Sequence, residues 1–252
     1  HPGKMLLVDT NRGKVMEDWE IKEYYAKKEP YGEWLDSNLV SLQELKIPNE
    51  KIPSYSKTER ARLQKAFGYT YEDYRDTIYS LALNGTEQIG AMGVDTPLAA
   101  LSDQYQPLFY YFKQLFAQVT NPPIDAAREK IVTSTTVYVG KNGNLLEEKL
   151  KIRTMKKPGF CVKTVPILFY KSTPMDRVLD HLFMAVDKAY REGANIVILS
   201  DRGVDENHVA IPSLLAVSAV HKHLVRTKKC TALSLILESA EPRGVHHFAT
   251  LL

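Results

Sequence analysis

Apolar residues at the N-terminus of the chain have the spacing of a β-hairpin followed by a helix. Two short apolar runs, in residues 4–9 and 14–16, flank the turn sequence Thr10–Gly13 and predict two antiparallel strands. Asp18 then precedes apolar residues at helical spacing, so we expect it to cap a helix. From 31 to 56 the pattern weakens and prolines interrupt it, which is typical of a surface connector.

The next part of the chain is predicted to be helical. Thr58 and Thr70 are placed to cap two helices, and Gly85 is placed to end the second of them. Apolar residues recur at spacings of three and one within 107–118, which predicts another helix. Asp125 follows two prolines and is expected to cap a further helix.

Strand and helix patterns alternate three times in the last third of the chain. Residues 160–170 predict a strand interrupted by Pro166, and the runs Asn195–Ser200 and Leu233–Leu237 predict two more strands. A helical pattern follows each of them, within 175–190, within 211–225 and from 245 onward. This order predicts parallel strands joined by right-handed crossovers, in a doubly wound sheet or in part of a (β/α) barrel.

The predicted fold class is therefore α/β. An N-terminal hairpin and a helical region precede βαβαβα with parallel strands. Because only the last third shows repeated strand–helix units, a complete barrel is disfavoured. We expect an incomplete or degenerate (β/α) barrel-like domain.

Composition narrows the class of protein without naming a function. The 252 residues are 44% hydrophobic and 25% charged, which is typical of a globular protein and excludes a disordered chain or a coiled coil. The 33 basic and 30 acidic residues give a net charge of +3, too even for a nucleic-acid-binding protein, and no apolar run is long enough to span a membrane. Two cysteines, Cys161 and Cys230, exclude a disulfide framework and favour a reducing compartment.

The two ends indicate that the chain is a piece of a longer protein. It opens with His1 and has neither an initiator Met nor a signal peptide. It stops at Leu252 inside a helical apolar pattern, with no residue that would close the helix. We therefore expect the C-terminal domain to be truncated.

Motif searches give no candidate for catalysis or for metal binding. The glycine-rich stretch 85–93 follows a helix and lacks the Lys-Ser or Lys-Thr of a phosphate loop, so a close-approach loop leading to a cap at Thr96 is favoured. The pairs His221-x-His223 and His246–His247 do not have chelating spacing on a helix, so solvated or capping histidines are favoured. No Gly-x-Ser-x-Gly is present, and both cysteines lie in or beside predicted strands, where a thiol usually packs as a small hydrophobe.

Polar residues that follow the predicted strands form a first candidate site. Parallel α/β sheets bind ligands beyond the carboxyl ends of their strands, and these positions carry Asp201, Arg202 and Glu238. We expect a strand-end polar rim from the three side chains. It is either an ion-paired structural rim, which is the favoured interpretation, or a site for an anionic substrate.

The loop that precedes Asp125 is a second candidate site. Pro122 and Pro123 each fix their own φ and push the preceding residue into extended geometry. The loop is therefore rigid, and it presents the Thr120 hydroxyl and the Asn121 amide. A stiff connector between helices is the alternative interpretation.

Several of these segments resemble the central domain of the glutamate synthase large (α) subunit. The resemblance is carried by Gly93–Ala99, Tyr111–Asp125, Ser200–Gly203, Ala210–Ala216, Glu238–Glu241 and Val245–Ala249. The opening Pro2–Thr10 is similar to the end of that family's glutaminase domain, and Tyr31–Leu35 is similar to the junction after it. The resemblance covers nearly the whole chain, and Tyr111–Asp125 is its most specific part. Within 147–157 this sequence is shorter than the family's.

The resemblance implies a domain organisation and a role. Residues 1–30 would be the tail of the glutaminase (amidotransferase) domain, 31–56 a connector, and 57–252 the central domain. The parent enzyme of nitrogen assimilation converts glutamine, 2-oxoglutarate and two reducing equivalents into two glutamates. It binds FMN and a 3Fe–4S cluster elsewhere, so this chain is expected to bind no cofactor and to be inactive alone. Its partners would be the glutaminase and FMN-binding domains of the same polypeptide, in the cytoplasm or in a plastid, with no nucleic acid and no membrane.

The resemblance also implies a role for the loop that precedes Asp125. It implies that the Thr120–Asn121 corner of this loop faces the route of ammonia. We expect Thr120 and Asn121 to line the ammonia tunnel. The residues expected to support them are Asp95, Thr96, Pro122 and Pro123. Neutral ammonia needs a path with hydrogen-bonding groups rather than fixed charges, since a carboxylate would trap ammonium.

Two competing interpretations belong to other classes of protein. The first is a stand-alone α/β enzyme or binding module that takes an anionic metabolite at Asp201, Arg202 and Glu238. The second is an interaction scaffold without chemistry of its own.

Overall fold

The computed structural model describes residues 3–45, 53–86, 101–103, 105–113, 123–134, 136–142 and 159–252. The chain divides into two compact units, which are described separately. The first comprises residues 1–52 and 145–159, and the second comprises residues 53–144 and 160–252.

The first unit contains the predicted hairpin and a helix. Strands β1 (Leu6–Asp9) and β2 (Lys14–Glu17) pair in antiparallel orientation. Helix α1 (Asp18–Ala26) follows β2 directly. Its cap is Glu17 rather than the predicted Asp18: the Glu17 N–H donates to the Glu20 carboxylate at 3.1 Å, while Asp18 accepts from the backbone N–H of Met5.

The interval 31–56 contains a helix that the weak apolar pattern does not indicate. Helix α2 (Tyr31–Asn38) is followed by a 3-10 turn at Leu42–Glu44. No residue of α2 is buried. Gly32 and the polar residues at its end have low helix propensity, so neither propensity nor periodicity predicts it.

The second unit begins with helices. Helix α3 (Lys57–Ala66) is capped by Ser56 rather than by Thr58, because Ser56 and Glu59 form a capping box. The next helical segment starts at Thr70 as predicted, runs through a π-helical turn (Asp73–Ile78) into α4 (Tyr79–Asn84), and ends at Gly85 with φ +63°.

The apolar run 107–118 departs from its prediction in the part that the structure describes. Leu108–Tyr111 form a 3-10 turn, and Phe112 is extended with φ −104° and ψ 137°. A regular helix therefore does not start at Pro107. Helix α5 (Ala126–Val132) has the predicted cap, since the Asp125 carboxylate accepts from two backbone N–H groups of the first turn.

The last third of the chain confirms the predicted α/β class. Its elements are β3 (Val162–Pro166), β4 (Leu168–Tyr170), α6 (Met175–Arg191), β5 (Ile196–Ser200), β6 (His208–Ala210), α7 (Ser213–Arg226), β7 (Ser234–Glu238) and α8 (Val245–Leu251). Strands β3, β5 and β7 form a parallel sheet in that order. The described strands close no barrel, which agrees with an incomplete barrel-like domain.

One element of this region has no signal in the sequence pattern. Pro166 ends β3, and β4 pairs instead with β6 in a separate antiparallel ribbon. Strand β6 has three residues, which is too short for an apolar pattern to reveal it.

The core lies between the parallel sheet and the helices α6 and α7. Val165, Leu199 and Leu237 lie side by side across the sheet; the first two belong to this core, and Leu237 packs against it. From the helices, Val186 and Val220 are fully buried against it. Among the described residues, no helix combines the length and the apolar character that crossing a membrane requires.

Candidate functional site

Buried polar side chains collect at one edge of the parallel sheet. Pro166, Ser200 and Glu238 end the three strands side by side. The buried polar or charged residues of the described chain are Ser200, Asp201, Ser213, Glu241, Arg243 and His247, and all of them lie at or just beyond this carboxyl edge. Charged groups are rarely buried without partners, so this edge is the candidate functional site.

The structure brings the predicted rim residues together at this edge. Arg202 Nε donates to Glu238 Oε1 at 2.6 Å, and Ser200 Oγ donates to Glu238 Oε2 at 2.6 Å. The hydrogen bonds from Ser200 and Arg202 lower the pKa of Glu238. An anion that bound Arg202 at its Nε would therefore have to displace a carboxylate that is already in place.

The third rim residue, Asp201, connects two strand ends. Its backbone N–H donates to the Glu238 carbonyl at 3.1 Å, and its carboxylate accepts from the backbone N–H of Ala240 at 3.1 Å. Burial raises the pKa of Asp201, while hydrogen bonds from Ser239 and Ala240 act in the opposite direction. Asp201 therefore holds the loop that follows β7 against the end of β5.

Glu241, in the same loop, accepts three hydrogen bonds. The backbone N–H and the hydroxyl of Ser213 donate to its Oε2 at 2.7 Å and 2.6 Å, and the Tyr105 hydroxyl donates to its Oε1 at 2.5 Å. Burial, together with this bond to Glu241, raises the pKa of the Tyr105 phenol. The carboxylate joins the start of α7 to the segment around Tyr105.

Arg243 holds the turn after α3. Its guanidinium donates to the carbonyls of Phe67 and Gly68 at 3.0 Å and 2.9 Å and lies 3.3 Å from the Asp73 carboxylate. It also stacks over the Tyr69 ring, 4.2 Å from its centroid. The side chain is only 5% exposed, and its Nε has no acceptor among the described residues.

His247 completes the site from the first turn of α8. Its ring stacks on Phe109 with centroids 4.4 Å apart, and its Nδ1 accepts from the backbone N–H of Arg243 at 3.2 Å. Burial, and next the charge of Arg243, lower the pKa of His247 to about 4, so the ring is neutral. Of the two expected states, solvated or capping, His247 is not solvated, because the aromatic ring of Phe109 covers it; it accepts instead from a backbone N–H just before its own helix.

We call these connected groups the edge cluster. Its members are Tyr69, Asp73, Tyr105, Phe109, Ser213, Glu241, Arg243 and His247. Sequence reasoning did not single out the cluster, because its residues come from four distant parts of the chain. The one available signal is that Glu241, Arg243 and His247 all follow the end of a predicted strand.

Most of the predicted loop residues lie outside the described part of the chain. These are Asp95, Thr96, Thr120, Asn121 and Pro122. Pro123 is described, and it leads into the Asp125 cap of α5.

Of the other residues named from the sequence, His246 contacts the edge cluster through the Phe109 carbonyl, whereas His223 and the two cysteines lie apart from it. His223 pairs with Asp187 at 3.1 Å and stacks on Phe183, on the outer helices. Cys161 and Cys230 are partly buried against the core. Within the described ranges, no group of three or more His, Cys, Asp or Glu residues is arranged to hold a metal ion.

A cleft of about 460 Å³ lies beside α7 and is mainly apolar. Its lining includes Leu214, Val217, His221, Cys230, Leu235 and Leu251. None of the members of the edge cluster lines it. The cleft therefore does not coincide with the buried polar groups, and it is not the candidate site.

The amino-acid sequence matches two known protein families. Residues 62–252 match the family model described as the glutamate synthase central domain. The chain belongs to the glutamate synthase central domain family. Residues 1–34, which include the hairpin and α1, match class-II glutamine amidotransferases.

Relatives of this family cover the whole chain. It is 42% identical over 270 residues to the glutamate synthase [NADPH] large chain of Bacillus subtilis and 36% identical over 284 residues to the glutamate synthase [NADH] of Schizosaccharomyces pombe. It is 37% identical over 282 residues to the ferredoxin-dependent glutamate synthase 2 of Synechocystis. In each case all of this chain is matched, and it spans 14% to 18% of the relative.

The iron–sulfur cluster of the parent enzyme does not fit this chain's own residues. An iron–sulfur cluster is held by cysteine thiolates, usually four, and the chain has two cysteines in all. Both are partly buried against the apolar core. The chain's residues therefore provide no site for the cluster.

Proposed function

We propose that this chain is the non-catalytic central domain of a glutamate synthase, which links the glutaminase to the FMN-binding synthase domain and helps to form the ammonia tunnel. The observation that carries the proposal is the succession of two matches in one chain, a class-II amidotransferase over 1–34 and the central domain over 62–252. The domain organisation that we propose has the glutaminase tail at 1–30, a connector at 31–56 and the central domain at 57–252.

The geometry of the carboxyl edge supports a role without catalysis. In α/β enzymes this edge carries the groups that bind and convert the ligand. Here Glu238 pairs with Arg202, Glu241 accepts three hydrogen bonds, and Arg243 holds two carbonyls and a carboxylate. Such groups are committed to internal contacts and stabilise the arrangement of the surrounding chain.

The proposed path carries ammonia released from glutamine to 2-oxoglutarate. Ammonia must stay neutral to attack the keto carbon, so its path requires dipolar groups rather than carboxylates. The Thr120 hydroxyl and the Asn121 amide have that chemistry, and the prolines next to them restrict the backbone. We propose that these two residues line the tunnel. The residues proposed to support them are Asp95, Thr96, Pro122 and Pro123.

The neighbouring domains of the same polypeptide are the proposed partners. The glutaminase domain would release ammonia, and the domain that binds FMN and a 3Fe–4S cluster would supply the two electrons that complete glutamate formation. We propose a location in the cytoplasm or in a plastid. Support for a plastid comes from relatives named as chloroplastic in Arabidopsis thaliana and Spinacia oleracea.

The test is the stoichiometry of the complete enzyme that contains this chain. Thr120→Val combined with Asn121→Leu should leave glutamine hydrolysis present but uncouple it from glutamate formation, because the path loses its hydrogen-bonding groups. Thr133→Val, at the end of α5, is the matched control and should keep the two rates equal. If the double variant also keeps one glutamine consumed per 2-oxoglutarate, the tunnel role is wrong.

A further inference from the structure

We propose that the edge cluster is a positioning device for ammonia transfer, in which Tyr105, Glu241 and Arg243 fix the segment 105–112 and the turn 67–73 against the loop that follows β7. The inference rests on the proposed function, since it assigns these contacts to ammonia transfer and not to stability alone. Tyr105, Glu241 and Arg243 would be positioning residues, because they act through the chain that they hold.

The loop 239–244 is the common partner of three distant parts of the chain. Glu241 binds the start of α7 through Ser213, 28 residues away, and the segment 105–112 through Tyr105, 136 residues away. Arg243 binds Gly68, 175 residues away. Contacts of such sequence separation fix parts of the chain that no local structure connects, so the loop determines how these parts are placed.

Two residues of the segment 105–112, the first one and one in its middle, are held by different groups at this edge. Tyr105 donates its hydroxyl proton to Glu241, and the buried Phe109 stacks on His247 while its carbonyl accepts from His246 Nε2 at 2.9 Å. Phe109 itself lies within the 3-10 turn Leu108–Tyr111. A short turn has few internal hydrogen bonds, so its position depends on these external contacts.

The turn 67–73 also touches this segment directly. Gly68 has φ +63°, and a Cβ built on it would lie 2.9 Å from the ring of Tyr105. Only glycine permits both this backbone conformation and this approach. Arg243 holds the same turn through two carbonyls and Asp73, so the turn and the segment are fixed relative to one loop and to each other.

The sequence connects this segment to the proposed tunnel residues. Phe112 precedes Thr120 by eight residues, and Ser102 follows Thr96 by six. The segment therefore joins the two intervals in which the proposed tunnel residues lie. Hydrogen bonds from a planar guanidinium and to a carboxylate fix direction as well as distance. Small displacements of groups that guide a reactant have large kinetic effects.

The test uses the complete glutamate synthase that contains this chain. Tyr105→Phe removes the hydroxyl that Glu241 accepts and keeps the ring on Gly68, and Arg243→Lys keeps the charge beside Asp73 but loses the paired carbonyl contacts. Both should raise the glutamine consumed per 2-oxoglutarate from about one to about two or more, since displaced chain lets ammonia escape. Added ammonium salt should restore glutamate formation. Tyr170→Phe, an exposed tyrosine on β4, is the control and should change neither quantity.

Hydrogen exchange supplies a readout of position. In both variants the amides of 105–112 should exchange faster, while those of β5 stay as protected as before. If the glutamine consumed per 2-oxoglutarate stays near one, the inference is wrong, whatever hydrogen exchange shows. It is also wrong if glutamate formation is lost and added ammonium does not restore it. The outcome is separable from that of the proposed function. If Tyr105→Phe uncouples and the Thr120 and Asn121 variant does not, the tunnel residues are misassigned while the positioning role stands.

Discussion

The hairpin of the first unit and the parallel sheet of the second have equally apolar strands but opposite burial. Leu6 and Val8 of β1 are 70% and 59% exposed, whereas Val197 and Leu199 of β5 are fully buried. In the first unit the one buried hydrophobic residue of the described chain is Ile21. Among the described residues, α6 and α7 cover the sheet and no comparable layer of the first unit covers the hairpin, and an apolar strand is buried only where a second layer covers it.

Amide hydrogen exchange should show the largest difference between the two regions. Backbone amides of β5 lie in the middle of the sheet and should exchange only through global unfolding, at a cost of about 5 kcal/mol or more. Amides of β1 and β2 should open at a cost of about 1–2 kcal/mol, because a two-stranded hairpin has marginal stability. Equal protection of β1 and β5 in the 252-residue chain would show that the comparison is wrong.

A matched pair of leucines measures the same contrast as free energy. Leu199→Ala should lower the free energy of unfolding by about 3 kcal/mol, because it leaves a cavity in the core. Leu6→Ala removes the same atoms from an exposed site and should cost less than about 0.5 kcal/mol. Chemical denaturation of the 252-residue chain measures both values. A cost at Leu6 similar to that at Leu199 would mean that the hairpin is covered.

Acid should weaken the second unit through His247. Its folded-state pKa of about 4 lies below the usual value near 6.5, so the unfolded chain binds more protons between these pH values. Stability from this group is complete above about pH 6.5 and falls as the pH drops to about 4, by up to about 3 kcal/mol. The control is His247→Asn, which keeps an acceptor near the position of Nδ1. The stability of this variant should fall less between about pH 6.5 and pH 4 than that of the unchanged chain, as measured by denaturation midpoints. Identical pH profiles of the two proteins would exclude the role of His247.

Two glycines provide the smallest test of the comparison. Gly68 and Gly13 both have φ near +60°, so alanine strains either backbone by about 1 kcal/mol. A Cβ at Gly68 also meets the Tyr105 ring at 2.9 Å, whereas in the described structure nothing lies within 4 Å of one at Gly13. Gly68→Ala should therefore cost about 1 kcal/mol more than Gly13→Ala in thermal unfolding. Equal costs would show that the contact with Tyr105 contributes nothing.

The sequence predicts the elements that have long periodic patterns. The stripe of α6 and the continuous apolar run of β5 are both present where the pattern predicts them, because burial on one face or on two faces imposes a period on the residues. Short or weakly patterned elements cannot be predicted in this way. Strand β6 and helix α2 have too few buried residues to impose a period.

Apolar spacing also misleads where tertiary contacts decide the backbone. Residues 108–112 have helical spacing, yet the chain leaves the 3-10 turn at Phe112. Phe109 is buried through contacts with His247 and α8 rather than within a helix of its own. Caps are similarly uncertain by one or two residues. Ser56 and Thr58 are both plausible caps from residue type, and residue type favours Asp18 although the cap is Glu17.

Some residues of the candidate site could be predicted from the sequence and others could not. Asp201, Arg202 and Glu238 are predictable because the ends of neighbouring parallel strands meet at one edge. The contacts of Glu241 with Tyr105 and of Arg243 with Gly68 join residues far apart in the chain, and no local pattern encodes them. A buried arginine or glutamate looks in the sequence like any exposed one.

If the carboxyl edge is committed to internal contacts, it is not a binding site for a metabolite. Calorimetric titration of the 252-residue chain with 2-oxoglutarate, glutamine and FMN in turn tests this most directly. We expect no saturable heat with any of the three, because Arg202 is paired with Glu238, Glu241 is bonded to Ser213, and Arg243 is paired with Asp73. Saturable binding of 2-oxoglutarate that Arg202→Met abolishes would contradict it.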